Sequence, residues 1–414
     1  MSSFGWLDVD AEERQKMLEF VDLFRDSSTV DELGIGPIRD SFSDLLFPGT
    51  STLHTRLRYV LFLPWLLQKA AKNRRRSPNQ QAQDFKQSEY ALISALKNGG
   101  ESQGVIGERA GSKLKRLPSE MYHSALKSWG IFMASSPDAY LRQLAAIRQL
   151  DHGEEDDFGT SFSSEAFGID PSLPRMPPEW EGRSLGPTTF ALTQEEATYL
   201  SGKISESAPD SLLTYLINSE IPVGDDPPWQ DPIYSSLPEK YQQQVEHARR
   251  FADTHHGAAL LYNLMLAQKL GNEDVTQSYR ESIDDWQEFI LADQTLDGWE
   301  RDDFWRTVAI MRPRLQAHTI SFADQWYRTT QRCVRSGEPI AEDREARSLI
   351  EMRELQMKGG RARLKGGKAL DLWQGESGTG LLEYRWRQAR SHIADLNEGR
   401  GVEPQSRSAD DSVA

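Results

Sequence analysis

Apolar residues recur along most of this chain at the three- and four-residue spacing of an amphipathic helix. The first such segment, Asp10–Asp26, places Met17, Phe20, Val21 and Phe24 on one face. The same spacing predicts further helices over Asp84–Leu96, Pro118–Trp129, Pro137–Leu150, Glu239–Leu270, Val275–Ile290, Asp302–Met311, Ile320–Val334, Ile340–Met357 and Leu381–Leu396. We find neither a fixed-period repeat nor a run of alternating strand positions. The pattern therefore predicts a mostly α, multi-helical fold.

One element is apolar on all sides. Leu57–Leu67 is strongly hydrophobic and contains Pro64, but it is shorter than the roughly 18 residues of a membrane-spanning helix. We expect a kinked helix through a protein core. A second local signal, Thr193 followed by Glu196, is a capping box and predicts a helix start there.

The composition changes between residues 151 and 187. An acidic run, DHGEEDD, leads into Ser, Pro and Gly residues with little periodicity, which is typical of an exposed linker. We therefore expect two helical domains, at residues 1–150 and 188–400, joined by this acidic linker. The last residues, 401–414, resemble a disordered tail.

Composition excludes several classes of protein. The 414 residues carry a net charge of −15 and a single cysteine, Cys333, which rules out an internal disulfide and a zinc site built on several thiolates. No apolar run is long enough for a membrane span, and the first ten residues lack a secretory signal. We expect a soluble, cytoplasmic protein without a membrane partner, cofactor or metal.

Basic residues nevertheless cluster in one glycine-rich segment. Residues 353–368 carry six basic residues against one acidic residue, Glu354, and their glycines allow close approach of an anion. Aromatic residues and further arginines follow, a mixture that suits phosphate contacts and stacking on bases. The alternative is a solvated loop whose arginines pair with carboxylates. The candidate nucleic-acid-binding residues here are Arg361, Arg363, Lys365, Lys368, Arg385 and Arg387.

A second basic region lies just ahead of the predicted helix Pro118–Trp129. Short helices around a glycine-containing turn with basic flanks resemble a helix-turn-helix unit, although this pattern is loose and common by chance. Its candidate nucleic-acid-binding residues are Arg109, Lys113, Lys115 and Arg116.

Catalytic motifs are mostly absent. The nearest approach to a phosphate-binding P-loop, residues 362–369, lacks both the first glycine and the hydroxyl that would hold magnesium. The N-terminal third does contain a dense set of opposite charges, and carboxylates beside arginines either coordinate a metal or form structural ion pairs. We favour ion pairs, with Arg39 and Arg56 bound to nearby carboxylates. The cluster comprises Asp31, Glu32, Arg39, Asp40, Asp44 and Arg56.

Several of these segments carry a family resemblance. The runs Asp31–Gly36 (DELGIG) and Phe47–Thr52 (FPGTST), the helix piece His256–Asn263 and the region 361–386 resemble an uncharacterised bacterial family, domain of unknown function 6361. The resemblance extends from Phe4 to about Arg400. It implies no established fold, activity or catalytic residue. It does imply a setting, because members of that family tend to occur beside helicases and nucleases in prokaryotic defence-type gene neighbourhoods.

Three hypotheses follow for the function. The first is a non-catalytic, nucleic-acid-associated accessory subunit of an anti-phage or foreign-DNA defence complex, with DNA and helicase or nuclease subunits as partners. The second is a metal-dependent nuclease or nucleotide hydrolase that uses Asp31, Glu32 and Asp40. The third is a protein–protein scaffold that binds no nucleic acid. We favour the first because the basic residues cluster in an otherwise acidic chain.

Overall fold

The computed structural model describes residues 30–151, 168–182, 184–219 and 223–402. Within these ranges the chain forms fourteen α-helices and five short 3-10 turns. The same ranges contain no β-strand, only an isolated bridge between Phe132 and Ile169. The prediction of a mostly α, multi-helical fold is confirmed. The predicted helix Asp10–Asp26 and the tail from residue 403 lie outside the described residues.

The helices are numbered here in chain order. They are α1 Gly36–Leu46, α2 Tyr59–Lys72, α3 Pro78–Asn98, α4 Pro118–Ser128, α5 Pro137–Asp151, α6 Gln194–Ser207, α7 Leu212–Ser219, α8 Glu239–Leu270, α9 Glu273–Ala292, α10 Arg301–Met311, α11 Ala317–Ser336, α12 Arg344–Lys358, α13 Lys368–Asp371 and α14 Trp386–Arg400. Most begin or end where the sequence carries a capping residue. Ser77 and Thr193, for example, each complete a capping box at the start of a helix.

The chain divides into two compact units that are not consecutive in sequence. The first unit comprises residues 1–42 and 242–384, and the second comprises residues 43–241 and 385–414. The chain therefore passes between the units within α1, within α8 and after Tyr384. This division differs from the expected one, in which residues 1–150 and 188–400 form separate domains.

In the first unit, α8 supplies much of the hydrophobic core. Leu261, Tyr262 and Leu264 on α8 are buried in one cluster with residues of α9, α11 and α12. A Cβ atom at Gly257 would lie 2.2 Å from Trp286 of α9, so only glycine permits this approach of the indole ring.

In the second unit, the core forms around the apolar helix α2. Eleven of its fourteen residues are buried, Pro64 among them. Helices α3 and α4 contact α2, and α14 lies against α6 and α7. The expectation of a buried apolar helix is met for residues 59–67, whereas Leu57 and Arg58 precede the helix. No helix in the described ranges is long and apolar enough to cross a bilayer.

Part of the expected acidic linker is instead packed into the second unit. Trp180 is fully buried, and its ring lies 5.3 Å from that of Phe62. The indole of Trp65 donates a hydrogen bond of 2.7 Å to the Pro174 carbonyl. Residues 168–182 are therefore anchored to the core of this unit through Trp180 and Pro174, although many of the other residues are exposed. Composition missed them because a single tryptophan buries more apolar area than the surrounding Pro and Ser residues suggest. Residues 152–167 lie outside the described ranges.

Candidate nucleic-acid interface

The first unit begins with a short hook, residues 30–36, that leads into α1. The Asp31 carboxylate accepts hydrogen bonds from the backbone N–H groups of Ile35 (2.9 Å) and Gly36 (2.7 Å). A Cβ atom on residue 36 would lie 2.6 Å from the same carboxylate, so the close contact requires glycine. Asp31 therefore closes the turn ahead of α1 and satisfies donors that a helix start leaves open.

Arg353 of α12 holds this hook in place. Arg353 is only 2% exposed, and its guanidinium donates to the carbonyl oxygens of Leu33 (2.7 Å) and Gly34 (2.9 Å). It also donates to Thr319 Oγ1 (3.0 Å) and His318 Nδ1 (3.0 Å). Burial lowers the pKa of Arg353. Arg353 therefore stabilises the fold from inside and is not available to a ligand, although in the sequence it is one of the basic residues of the glycine-rich segment.

Glu32 connects the hook to the basic segment. Its carboxylate, which is 7% exposed, pairs with Lys358 and, at 2.5 Å, with Arg363. It also accepts a hydrogen bond from the Ser377 hydroxyl. Burial raises the pKa of Glu32, but these hydrogen bonds and the two positive charges outweigh burial and leave the pKa below its ordinary value.

Glu354, a fully buried carboxylate, shapes the following loop. It accepts hydrogen bonds from the Tyr262 hydroxyl (2.6 Å) and from the backbone N–H groups of Arg363 and Leu364 (2.9 Å each). Lys358 lies 3.0 Å from the same carboxylate. Burial alone would raise the pKa of Glu354. The four hydrogen-bond donors have the larger effect and leave the pKa below its ordinary value, so the carboxylate is ionised. The loop is therefore fixed from beneath by a buried anion.

We define the basic glycine loop as residues 359–368, the chain between α12 and the first residue of α13. Inside it, Ala362 and Leu364 are buried, and backbone hydrogen bonds form two short 3-10 turns. Gly366 and Gly367 have φ angles of +86° and +72°, which side chains rarely tolerate. The loop is consequently an ordered structure built on glycine geometry.

Three cations remain on the surface of this loop. The charges of Lys358 and Arg363 balance those of Glu32 and Glu354, whereas Arg361, Lys365 and Lys368 are exposed. In the described part of the chain no carboxylate forms an ion pair with these three side chains. They give the loop a local positive surface on an acidic protein.

A fourth cation at the loop escapes sequence analysis. Lys269, near the end of α8, donates a hydrogen bond from Nζ to the carbonyl oxygen of Leu364. Its Cε atom would lie 3.7 Å from a Cβ atom on Gly366. The sequence separation of 95 residues leaves no local signal that would place this lysine at the loop.

The aromatic residues that follow the loop are buried. Trp373 is 6% exposed and donates its indole N–H to Asn263 Oδ1 (3.0 Å). Tyr384 is 2% exposed and donates to the carbonyl oxygen of Ala248 (2.6 Å). Trp386, in the second unit, is 1% exposed. The expected stacking of bases on these rings is therefore excluded by their burial.

The predicted Arg385 and Arg387, and the neighbouring Arg390, belong to the second unit. Arg385 pairs with Asp44 at 2.6 Å and also donates to the Thr50 carbonyl. Arg390 pairs with Asp225, while Arg387 is exposed. Two of these three arginines are thus engaged by carboxylates, as in the alternative interpretation of the sequence.

The second basic region is also part of the second unit. Its four residues are exposed and lie on the connection between α3 and α4, at Arg109, Lys113, Lys115 and Arg116. Residues 99–117 separate these helices, several times the three or four residues of a helix-turn-helix turn. The structure therefore places the four cations on a long connection and not in a helix-turn-helix unit.

The N-terminal charges do not converge on one site. Arg39 pairs with its neighbour Asp40 at 2.9 Å, whereas Arg56 pairs with Asp395 at 2.8 Å, far along the sequence. Asp395 also accepts the backbone N–H of Leu57 (2.8 Å) and so caps the start of α2. Within the described ranges, no group of three or more His, Cys, Asp or Glu side chains is arranged to hold a metal ion.

Comparison with known proteins identifies one family. Residues 1–400 match the family described as "Family of unknown function (DUF6361)". Because the match covers nearly the whole chain, this protein belongs to that family, as its sequence resemblance suggested. No curated protein and no solved structure matches the chain.

Proposed function

We propose that this chain is a non-catalytic, nucleic-acid-associated accessory subunit, and that the basic glycine loop is its contact with phosphate groups. One observation carries the proposal. Buried glutamates neutralise Lys358 and Arg363, and the loop still presents Arg361, Lys365 and Lys368 to solvent. Exposed cations on an ordered loop suit the phosphate contacts that supply most of the affinity in non-specific nucleic-acid binding.

The wider setting that we propose is a cytoplasmic anti-phage or foreign-DNA defence complex with helicase or nuclease subunits as partners. This part of the proposal is drawn from the family resemblance. The acidic remainder of the chain, with its net charge of −15, suits docking onto a basic partner and limits adventitious binding elsewhere on nucleic acid.

The geometry gives no support to the enzyme alternative. A metal-dependent nuclease needs carboxylates that share one cation. Here Asp31 caps a turn, Glu32 neutralises two basic side chains, and Asp40 pairs with Arg39. Each carboxylate therefore has a separate structural partner.

The test is a triple substitution of the exposed loop cations, Arg361→Ala, Lys365→Ala and Lys368→Ala. Binding to a fluorescent duplex is measured by anisotropy over a series of salt concentrations. Three phosphate contacts would contribute about 2.7 to the magnitude of the log–log salt slope, and the triple variant should lose that contribution. Arg363 is left intact because it is one of the two cations that neutralise the buried Glu32.

A matched control removes the same charge elsewhere in the first unit. Arg314, Arg328 and Arg344 are exposed, and their joint change to Ala should leave the slope unaltered. If both triple variants bind equally well, or if the wild-type chain binds neither DNA nor RNA at low salt, the proposal is refuted. A scaffold without nucleic acid would then be the better interpretation.

A further inference from the structure

We infer that the basic glycine loop contacts only the phosphate backbone, so that it binds DNA or RNA without regard to base identity. The inference rests on the proposed function and adds the kind of recognition to it. It depends on which side chains around the loop are available to a base and which are already occupied.

Stacking is unavailable around the loop. Between residues 353 and 384, a range that the structure describes in full, the aromatic residues are Trp373 and Tyr384. Both are buried, and both donate their polar hydrogen to another group of the protein. Single-strand-binding proteins that stack bases present the ring face to the ligand, and neither ring here reaches the surface.

The amide and hydroxyl side chains that could read base edges already have contacts within the protein. The amide and hydroxyl side chains in the same range each contact the protein itself. Ser377 binds Glu32, Thr379 binds Glu376, Gln374 donates to the Leu372 carbonyl, and Gln356 accepts from Arg353. The contacts of the exposed Gln374 and Gln356 are long, at 3.4 Å each, so an adenine preference read by either glutamine would contradict the inference.

The three exposed cations of the loop itself discriminate poorly between bases. Lys365 and Lys368 carry compact charges on flexible stems, which suit phosphate oxygens of any sequence. Arg361 is the one side chain among the three loop cations whose planar fork could read guanine. A sequence preference, if present, would therefore appear as a guanine preference that depends on Arg361.

The experiment compares single strands of equal length in the full-length protein. The probes are oligo-dT, oligo-dA, a guanine-rich strand without self-structure, an abasic strand with the same phosphates, and oligo-rU. A single stacked base would strengthen binding about 5- to 150-fold. We expect dissociation constants within twofold across all five probes, and equal salt slopes.

The outcomes separate this inference from the proposed function. Binding that is more than fivefold weaker to the abasic strand, yet still lost in the loop triple variant, refutes the inference and leaves the proposed function standing. A guanine preference that disappears in Arg361→Lys also refutes the inference alone. If neither these probes nor duplex DNA binds, or if the triple variant binds as the wild type does, both fail. Equal binding to all probes that is lost only in the triple variant supports both.

Discussion

The buried carboxylate of Glu354 is the element whose removal should damage the basic glycine loop most. In Glu354→Gln the side chain keeps its shape but loses the charge that balances Lys358. The new amide nitrogen cannot accept a hydrogen bond, so the donors now bound by Glu354, namely Tyr262 and the N–H groups of Arg363 and Leu364, can no longer all be satisfied. Breaking a buried pair in this way costs about 3–5 kcal/mol. The first unit should be destabilised by that amount.

Hydrogen exchange measured by mass spectrometry reports the first unit separately from the second, which a single melting curve does not. Peptides that cover residues 354–370 should lose protection by about 3–5 kcal/mol of opening free energy in Glu354→Gln. Glu351→Gln is the matched control, because Glu351 is exposed on the same helix and such surface changes usually stay within about 0.5 kcal/mol. If both variants show wild-type protection at Arg363 and Leu364, Glu354 does not hold the loop and our account of the site is wrong.

Two further predictions concern local stability. Asp31→Ala should destabilise the first unit by about 0.5–2 kcal/mol, the usual effect of losing a capping carboxylate, and hydrogen exchange at Ile35 and Gly36 should rise; unchanged exchange there would contradict the capping role. Burial lowers the pKa of His54 to about 4, against 6.5 for an exposed histidine. Between these two pH values the imidazole is protonated in the unfolded chain and neutral in the folded chain. His54 should therefore cost about 3 kcal/mol of stability as the pH falls from 6.5 to 4, and His54→Gln should flatten that decline in pH-dependent unfolding; an identical decline in the variant would exclude His54 as its source.

The helices were accessible to sequence analysis because their signals are local. The predicted range Glu239–Leu270 coincides with α8, and the start predicted at Pro118 is the start of α4. Caps and periodicity act within one or two turns, so a single sequence reveals them. The packing of Trp180 against Phe62 is different, since it joins residues far apart in sequence. Composition therefore suggested a linker where the structure has a segment anchored to the core by one buried tryptophan.

For the candidate site, too, the sequence shows the local features and not the contacts between distant residues. The sequence identifies the basic glycine loop, because charge and glycine density are visible in sixteen consecutive residues, 353–368. It cannot show which cations are neutralised, because Glu32 is 326 residues from Lys358 and 331 from Arg363. The same limitation explains the pairing of Arg56 with Asp395 instead of a nearby carboxylate. Only the folded chain distinguishes Arg363, which is internal to the network, from Arg361, which faces solvent.

The net negative charge of the chain should change how nucleic-acid binding depends on salt. Without the three loop cations the net charge would be −15 − 3 = −18, so the net charge of the rest of the chain repels nucleic acid while the loop attracts it. At about 0.01 M salt the Debye length is about 30 Å and this repulsion extends across the molecule, whereas at 0.15 M it is about 8 Å and only the loop contacts are felt.

At low ionic strength, added salt therefore weakens both the repulsion by the acidic chain and the attraction by the loop cations. Near physiological ionic strength the repulsion is already screened, and added salt weakens only the attraction. We expect the log–log salt plot for duplex DNA to be shallow at low salt and to steepen towards a slope of about −2.7 near physiological ionic strength. Anisotropy titrations from 0.01 to 0.2 M salt would measure this curvature. A straight line with the full slope at the lowest salt would mean that the acidic surface does not oppose binding, and that the ligand approaches the loop along a path shielded from it.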